Sequence, residues 1–389
     1  MLISSNWLKY YIDFNLSPNE LADRLTMLGI EVESYTDQKI IYDGFYVGKV
    51  LTKEKHPSAD KLSLCKVGVG AKEFSIICGA PNVDKDQKVV VGLVGATVPS
   101  AGFKLEKRKI RDHYSEGMIC SKSELNLGEE HSGIWVLPDD APLGKPIIEY
   151  LNLDDLILDI SLTPNKSDCA SHLGVARELA AVLKNKIKLP KLKIPASKKN
   201  ISDCISVNVF NDSLCPRYAI RTINGIKNGE SPTYLKNILN NVGIRPRNIV
   251  VDVTNYVLMG LGQPLHAFDY DKIAEQKIEV KNGFTQKFIT LDDKERQLEK
   301  DMLMICDAEK PIAIAGVMGG KNTEITDDTT SVVLESAFFN PSSIRRTSKK
   351  LGLQTDASYR FERGTDIDIC IYALDIATAM IVELTSANM

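Results

Sequence analysis

The chain has 389 residues, of which 43% are hydrophobic and 25% are charged. This length predicts two or three folded domains, at about 100 to 200 residues each. The formal net charge of -3 excludes a global attraction to nucleic acid, so any RNA contact must come from a local basic patch. The sequence contains neither an apolar run of about 18 residues nor a basic start followed by an apolar stretch. We therefore expect no membrane span and no targeting signal.

The cysteines and histidines form no metal-ligand pattern. The eight cysteines include no Cys-x-x-Cys pair, and the five histidines lie far apart. We predict reduced, mostly buried thiols of a cytoplasmic protein and no metal site in this chain. The cysteines are Cys65, Cys78, Cys120, Cys169, Cys204, Cys215, Cys306 and Cys370.

Residues 1–39 predict a short strand, a helix and a second strand. Ser-Pro-Asn-Glu at 17–20 has the form of a capping box with proline at the first helical position. The helix carries leucines on one face and ends at Gly29, before the strand at 30–33. A segment this short cannot form a core alone, so it needs a partner elsewhere in the chain.

Residues 40–151 have a different pattern, in which short strands are broken by glycine. VGKV at 47–50, LCKV at 64–67 and VVVGL at 89–93 are typical of such strands. Their near-regular spacing favours a small β-barrel, and an oligonucleotide-binding (OB) fold is the closed form at this size.

Three phrases in this region resemble the tRNA-binding OB-fold modules found in and beside aminoacyl-tRNA synthetases. They are HPSADKL at 56–62, IICGAPNV at 76–83 and SEGMICS at 115–121. Lys55 and Lys61 are the candidate RNA-contacting residues. A solvated lysine face is the alternative, since the region has few aromatic residues on which bases could stack.

An α/β pattern returns over residues 152–190, where an amphipathic helix is predicted from 172 to 186. We predict that this segment joins residues 1–39 in one discontinuous domain, into which the barrel is inserted. His172 is expected to be a helix-surface or packing residue and not a ligand. Residues 191–203 alternate lysine and proline, which predicts a linker.

Residues 204–389 mix strands and helices. Leucine and isoleucine spacing predicts a helix from 231 to 243, and the apolar run within 245–256 is interpreted as a strand that leads into polar residues. His266 follows a proline-fixed turn and has Asp269 three residues later, which could orient or polarise its ring. A structural histidine bonded to a loop carbonyl is the alternative.

Glu335 lies in SVVLESAFF at 331–339, which predicts a largely buried strand. Every second residue shares a face, so this carboxylate lies among apolar neighbours. An unpaired buried charge is costly. Glu335 should therefore pair with Arg345 or Arg346, lie at the wet end of its strand, or await a ligand that donates a hydrogen bond.

Two further segments have the features of a binding site. AGVMGG at 315–320 places glycines where a strand should turn, so the backbone could approach a ligand closely. LGLQTDASYRFERG at 351–364 places hydroxyls and backbone donors beside small residues, as a pocket for a compact polar substrate requires. A helix-capping turn is the alternative for the second segment.

These segments together resemble the β-subunit family of bacterial phenylalanyl-tRNA synthetases. The matching phrases are long, occur in family order and cover nearly the whole chain. They are LTMLGIEVES (26–35), SLTPNKSDCASHLGVARELAAV (161–182), RPRNIVVDVTNYVLMGLGQPLHAFD (245–269), AIAGVMGG (313–320), ESAFFNP (335–341) and TDASYRFERG (355–364).

The resemblance implies a multidomain α+β chain. An OB-fold barrel (40–151) is inserted in a small α/β domain (1–39 and 152–190), and a linker (191–203) leads to a mixed α/β module (204–389). That module is expected to edit, by hydrolysing tyrosine wrongly attached to the phenylalanine tRNA. The implied residues are catalytic His266 and Thr355, and substrate-binding Glu335, Ala315, Gly316 and Ala357. The candidate tRNA-binding residues, chosen for their positive charge, are Lys55, Lys61 and Arg245.

The resemblance also implies partners. An α subunit would carry phenylalanine activation with ATP and Mg²⁺ in an α2β2 heterotetramer that binds tRNA(Phe), and no cofactor is expected in this chain. Arg-Phe-Glu at 360–362 is superficially similar to class II motif 2, but no other class II motif accompanies it. Since family members continue into further domains, we expect a truncated chain, ending at Met389 inside a helix predicted over 366–384.

The physical logic agrees with editing. A hydrophobic pocket cannot strongly reject an isostere that merely adds a hydroxyl, whereas a site that bonds the hydroxyl can reject the analogue lacking it. Glu335 would accept the phenol, backbone donors near Ala315 and Gly316 would hold the ester carbonyl, and His266 would position the ribose or the attacking water with help from Thr355. A binding-only tRNA module and a complete, free-standing deacylase are the rival interpretations.

Overall fold

The structure, a computed structural model, describes residues 1–128, 130–151, 153–190, 194, 197 and 200–387. The chain packs into two units, a smaller one of Thr36–Leu156 and a larger one of Met1–Tyr35 with Ile157–Met389. Most of the predicted linker at 191–203 lies outside the described residues, and the finer predicted domain boundaries stay predictions. No helix among the described residues is long and apolar enough to cross a membrane.

The first helix that the sequence predicted lies near the start of the larger unit. The helix after the predicted capping box is present: Ser17 Oγ accepts from Glu20 N, and the Glu20 carboxylate accepts from Ser17 N at 2.8 Å. The elements are β1 (Leu2–Ser4), α1 (Ser5–Tyr11), α2 (Pro18–Met27) and β2 (Ile30–Asp37).

The smaller unit is built around one curled sheet in the order β10-β6-β3-β4-β5, with β9 also paired to β6. Its elements are α3 (Gln38–Ile41), β3 (Phe45–His56), β4 (Ala59–Val69), β5 (Lys72–Cys78), β6 (Lys88–Leu93), β7 (Arg108–Ile110), β8 (His113–Ser115), β9 (Gly117–Ile119), β10 (Val136–Leu137) and α4 (Ile147–Tyr150). Glu116 N donates to Ser75 O at 2.8 Å, so the edge strand β5 comes back against the segment between β8 and β9.

The rest of the larger unit mixes strands and helices. They are β11 (Leu156–Leu162), α5 (His172–Leu183), β12 (Ser206–Val209), β13 (Arg217–Asn224), α6 (Thr233–Asn241), α7 (Ile249–Leu261), β14 (Leu265–Asp269), β15 (Lys277–Lys281), β16 (Lys287–Ile289), β17 (Glu295–Gln297), β18 (Met304–Cys306), β19 (Pro311–Ile314), β20 (Met318–Gly319), β21 (Ser331–Phe338), α8 (Pro341–Leu351), α9 (Asp356–Phe361) and α10 (Ile369–Thr385).

Three sheets organise this unit. β11 lies between β1 and β2, which brings segments from both ends of the insertion into one sheet. The second sheet has the order β13-β21-β14, and the third has the order β12-β15-β18-β19-β20. One face of the second sheet packs on α7 and α10. Its other face shares a core with the third sheet, where Phe268 and Val333 pack with Ile305 and Ile312.

The predicted strand within 245–256 is wrong, because this segment forms the helix α7. Asn248 caps the helix, and its Oδ1 accepts from Val251 N at 3.1 Å. α7 packs against α5, α6, α10 and β14. A helix buried on so many sides is apolar nearly all round, so it lacks the amphipathic period that separates a helix from a buried strand.

His172 is a packing residue, as predicted, although it is fully buried. Its Nε2 accepts from Ser4 N at 3.0 Å, so Nδ1 carries the proton and donates to Met259 O at 2.8 Å. The ring stacks on Trp7 with centroids 4.1 Å apart, and burial lowers the pKa of His172 to about 3. His172 therefore joins α1, α5 and α7 as a neutral ring.

Candidate functional site

The second sheet of the larger unit places two of the predicted site residues directly opposite each other. Glu335 lies on the central strand β21, and His266 on β14 is its antiparallel partner. Residues paired in this way have Cβ atoms about 4.5 to 5.5 Å apart and project from the same face. The strand register therefore brings together a carboxylate and an imidazole that lie far apart in sequence.

Glu335 is buried, with 7% of its surface exposed. Its Oε2 accepts a hydrogen bond from the Tyr218 hydroxyl at 2.6 Å. The predicted alternative of an ion pair with Arg345 or Arg346 is wrong, because both arginines are exposed on α8. Burial raises the pKa of Glu335 to about 7, and the hydrogen bond from Tyr218 acts in the opposite direction.

His266 is half-buried, and its ring lies edge-on to Phe268 with centroids 4.5 Å apart. Burial lowers the pKa of His266 to about 4, so the imidazole is neutral near pH 7. The predicted pairing with Asp269 is wrong: that carboxylate accepts from Thr329 Oγ1 at 2.8 Å and pairs with Lys272 at 3.1 Å. The reason is strand geometry, since residues three apart point to opposite faces.

The predicted glycine-rich turn joins β19 to β20 and faces the same site. Gly316 has a φ of +65°, a left-handed conformation that favours glycine. Ala315 N donates to Leu303 O at 3.0 Å, and Val317 N donates to Ile314 O at 3.0 Å. Among the described residues, Gly316 N donates no backbone hydrogen bond. Of the two predicted backbone donors, only that of Gly316 is open.

Thr355 adopts the arrangement expected of a helix cap. Its Oγ1 accepts from Ser358 N at 3.0 Å at the start of α9 and donates to Val317 O at 2.9 Å. The hydroxyl proton is therefore used within the protein, where it ties α9 to the glycine-rich turn. Ala357, two residues later, lines the pocket itself.

These elements surround one pocket in the larger unit. Glu335 and His266 lie on one side, the turn from Ala315 to Gly319 lies on another, and Ala357 and Phe361 of α9 complete the lining. Glu335 Oε1 has no hydrogen-bond donor among the described residues, although Oε2 has Tyr218. The largely apolar lining of the pocket thus includes a carboxylate with one oxygen that accepts no hydrogen bond, a neutral imidazole, and a glycine whose N–H donates none among the described residues.

Sequence reasoning missed one residue that lines this pocket, Gly319, and one that bonds to a lining residue, Tyr218. Tyr218 lies on β13, and no local pattern shows that its hydroxyl reaches β21. Gly319 was included in the glycine-rich turn without a specific role, yet a Cβ at this position would lie 2.6 Å from Nε2 of His266. Because glycine has no Cβ, there is room for the imidazole of His266.

Comparisons with known proteins cover both units. The family model described as "Putative tRNA binding domain" matches residues 45–146, and the "B3/4 domain" model matches residues 214–386. Phenylalanine–tRNA ligase beta subunits from Syntrophus aciditrophicus and Geobacter metallireducens are 45% and 48% identical to this chain over all 389 of its residues. The chain is therefore similar, over its whole length, to phenylalanine–tRNA ligase beta subunits.

The chain spans 48% of the length of each of these two relatives. An N-terminal fragment of the phenylalanyl-tRNA synthetase beta subunit from Pyrococcus horikoshii aligns with 60% of this chain and 63% of its own length. Its identity is 14% and its TM-score is 0.34.

The predicted tRNA-binding residues lie in different units. Lys55 and Lys61 are exposed on the smaller unit. Lys55 lies near the end of β3 and Lys61 near the start of β4, on either side of the turn that connects the two strands. Arg245 is exposed on the larger unit, beside Arg247 and Asp327. Their roles in binding stay predictions.

A groove crosses the curled sheet of the smaller unit. Lys66 on β4 and Tyr114 on β8 line it, with Glu54 and Glu116 at its sides. Tyr114 is 56% exposed, and Lys107 lies over its ring at 5.5 Å. The groove thus offers an aromatic face and positive charge together with carboxylates.

One acidic cluster and one arginine have partners within the protein. Asp168, Cys169 and Glu178 place ligand atoms within 4.8 Å of one another, but Lys166 Nζ donates to Glu178 at 2.8 Å and burial raises the pKa of the Cys169 thiol to about 12. Arg360, from the segment similar to class II motif 2, is buried and donates through Nε to a backbone carbonyl at 2.9 Å.

Proposed function

We propose that the pocket of this beta-subunit chain hydrolyses tyrosyl-tRNA(Phe) and so removes tyrosine that was attached in error. The observation that carries the proposal is the open Oε1 of Glu335 in an apolar pocket. A tyrosyl phenol can donate to this oxygen, whereas a phenylalanyl ring leaves it unpaired. An unpaired buried acceptor costs about 1 to 3 kcal/mol, and more if it is charged.

The other groups of the pocket suit ester hydrolysis. The open N–H of Gly316 is the donor proposed to hold the ester carbonyl as charge develops on its oxygen. With a pKa of about 4, His266 is a weak base near pH 7. We therefore assign it the role of a neutral hydrogen-bonding group that positions the terminal ribose or the attacking water, and not that of the main proton acceptor.

Thr355 contributes by holding the turn. Its hydroxyl bonds Val317 O and caps α9, so it fixes the position of Gly316 relative to Ala357. In this proposal Thr355 acts through the backbone of the turn and does not contact the reacting atoms. An aminoacyl ester is already activated, so attack by water requires no covalent intermediate on the protein.

We further propose that this activity serves a complete phenylalanine–tRNA ligase. The α subunit would activate phenylalanine with ATP and Mg²⁺ in an α2β2 assembly, while this chain edits. The smaller unit, proposed to be an OB-fold, would contact tRNA(Phe) through the groove at Lys66 and Tyr114. The match to the putative tRNA binding domain model and the curled sheet support this assignment.

The test is deacylation of tyrosyl-tRNA(Phe) and phenylalanyl-tRNA(Phe) by this chain, alone and with the α subunit. We expect preferential tyrosine release, and loss of the preference in Glu335→Ala. Glu309→Ala, at an exposed position outside the pocket, is the matched control and should behave as wild type. Binding of tRNA without release of either amino acid, in both settings, would favour the binding-only module instead.

A further inference from the structure

Tyr218 is the hydrogen-bonding partner of the carboxylate on which the proposed function rests. It lies on β13 opposite Ala337 of β21, two residues from Glu335 and on the same face of the sheet. Such diagonal neighbours lie about 7 to 8 Å apart between strands, which is within reach of an aromatic side chain. The Tyr218 hydroxyl spans this distance and donates to Glu335 Oε2 at 2.6 Å.

The geometry divides the carboxylate into two oxygens with different surroundings. Oε2 is held by Tyr218, while Oε1 has no donor among the described residues and belongs to a side chain that lines the pocket. A carboxylate can accept several hydrogen bonds, so the bond from Tyr218 leaves Oε1 able to accept another.

We infer that Tyr218 is a positioning residue for specificity: it fixes Glu335 so that Oε1 faces the pocket as the acceptor for a substrate phenol. This inference rests on the proposed editing function. A carboxylate without this bond would rotate about its terminal torsion, which is broad for glutamate. The pocket would then present its acceptor in several orientations.

The bond also affects the charge of Glu335. Burial raises the pKa of Glu335 to about 7, and the donor from Tyr218 opposes this rise because it stabilises the ionised form. Removal of the hydroxyl should therefore raise the pKa of Glu335 further. The ionised carboxylate is the stronger acceptor for a phenol, so the preference for tyrosine should increase as the pH rises through the pKa of Glu335.

The other titratable groups around the pair are neutral near pH 7. His266 faces Glu335 from β14, and its pKa is lowered to about 4 by burial. Burial raises the pKa of the thiols of Cys215, before β13, and Cys306, on β18, to about 12. The turn and α9 present Ala315, Gly316, Val317, Met318, Gly319, Ala357 and Phe361 to the pocket, none of which titrates.

The experiment compares wild type with Tyr218→Phe, which keeps the ring and removes the hydroxyl. The ratio of kcat/KM for tyrosyl-tRNA(Phe) over phenylalanyl-tRNA(Phe) is measured from pH 6 to pH 8.5, after subtraction of enzyme-free hydrolysis. For wild type we expect the ratio to rise with a midpoint near pH 7. For Tyr218→Phe we expect about a tenfold lower ratio at pH 7.5, a midpoint at higher pH and an unchanged phenylalanyl rate.

A second variant guards against misfolding of the first. Incorporation of 3-fluorotyrosine at position 218 keeps the ring and makes its hydroxyl a stronger donor, so the midpoint should move to lower pH. A wild-type ratio and midpoint in both variants would overturn the inference. Glu335→Ala is measured in parallel. If Glu335→Ala keeps the preference for tyrosyl-tRNA(Phe), the proposed function is wrong. If Glu335→Ala loses this preference while both variants at position 218 keep it, only the role of Tyr218 is wrong.

Discussion

At the scale of single residues, burial moves the pKa values of the two ionisable groups in the pocket in opposite directions. The pKa of Glu335 rises to about 7 and that of His266 falls to about 4, so each side chain is driven towards its neutral form. His266 therefore adds no positive charge near pH 7, which suits a pocket proposed to bind a neutral phenol and an uncharged ester. The same burial makes the ionised form of Glu335 unfavourable for the folded state.

This conflict gives a stability prediction for Glu335→Gln. The pKa of Glu335 in the folded chain lies above its ordinary value of 4.5, so the wild type loses stability as the pH rises from about 4.5 through 7. Glutamine carries no charge. We expect Glu335→Gln to be more stable than wild type by about 1 to 3 kcal/mol at pH 8, with little difference near pH 4.5.

Chemical denaturation at the two pH values checks this expectation. Glu309→Gln, at an exposed site, should show no such pH-dependent difference. An equal effect of Glu335→Gln at both pH values would show that the charge of Glu335 does not destabilise the fold.

His266 gives a prediction about rate. Since its imidazole is neutral from about pH 5 upwards, protonation of His266 should cause no loss of activity between pH 8 and pH 5. We expect His266→Ala to lower kcat for tyrosine release by about 10²-fold, because it removes a positioned polar group, while leaving the tyrosine preference set by Glu335 in place. An unchanged kcat in single-turnover deacylation would remove His266 from the mechanism.

At the scale of secondary structure, the site depends on register between elements distant in sequence. Alternation within 331–339 predicted that Glu335 points to an apolar face, and the glycines at 315–320 predicted the turn, because both patterns are local. The partners of Glu335 on β13 and β14 could not be predicted, since strand pairing is a long-range choice. The wrong prediction of a strand at α7 also reflects long-range contacts. Because distant elements bury this helix on several sides, its apolar residues do not follow the helical period.

Gly319 on β20 tests whether the turn and the imidazole fit each other. A Cβ at this position would lie 2.6 Å from Nε2 of His266 and 3.0 Å from Cδ1 of Leu291, so Gly319→Ala should displace the ring. We expect a fall in kcat similar to that of His266→Ala. Gly229→Ala is the matched control, because nothing lies within 4 Å of the added methyl group. Wild-type kcat in Gly319→Ala would show that the ring position does not matter.

At the scale of the whole molecule, the two units carry different parts of the proposed function. The phrases at 56–62, 76–83 and 115–121 identified the smaller unit as similar to tRNA-binding modules, and a tRNA-binding family model matches it. The basic residues that contact RNA are harder to predict, since exposed lysines occur on most surfaces and their spacing has no required period. The pocket of the larger unit was recognised mainly through family phrases, and its chemistry became explicit only from the hydrogen bonds.

Charge reversal tests the contact of the smaller unit with tRNA. If Lys55 and Lys61 lie at phosphates, Lys55→Glu with Lys61→Glu should weaken tRNA(Phe) binding and lower the slope of log affinity against log salt by about two, or about one per contact. Lys310→Glu, at an exposed site on the larger unit, is the control. Equal salt slopes for the double variant and wild type would place the tRNA contact elsewhere.

Glu335 Oε1 is expected to recognise a phenol, and the binding of unreactive substrate analogues tests this claim. The ligands are 3′-amino-3′-deoxyadenosine carrying tyrosine or phenylalanine through an amide bond, and their affinities are measured by calorimetry at pH 7.5. We expect the tyrosyl compound to bind wild type at least about tenfold more tightly than the phenylalanyl compound, and Glu335→Ala to bind both equally. Equal binding of the two compounds to the wild-type chain would contradict the claim.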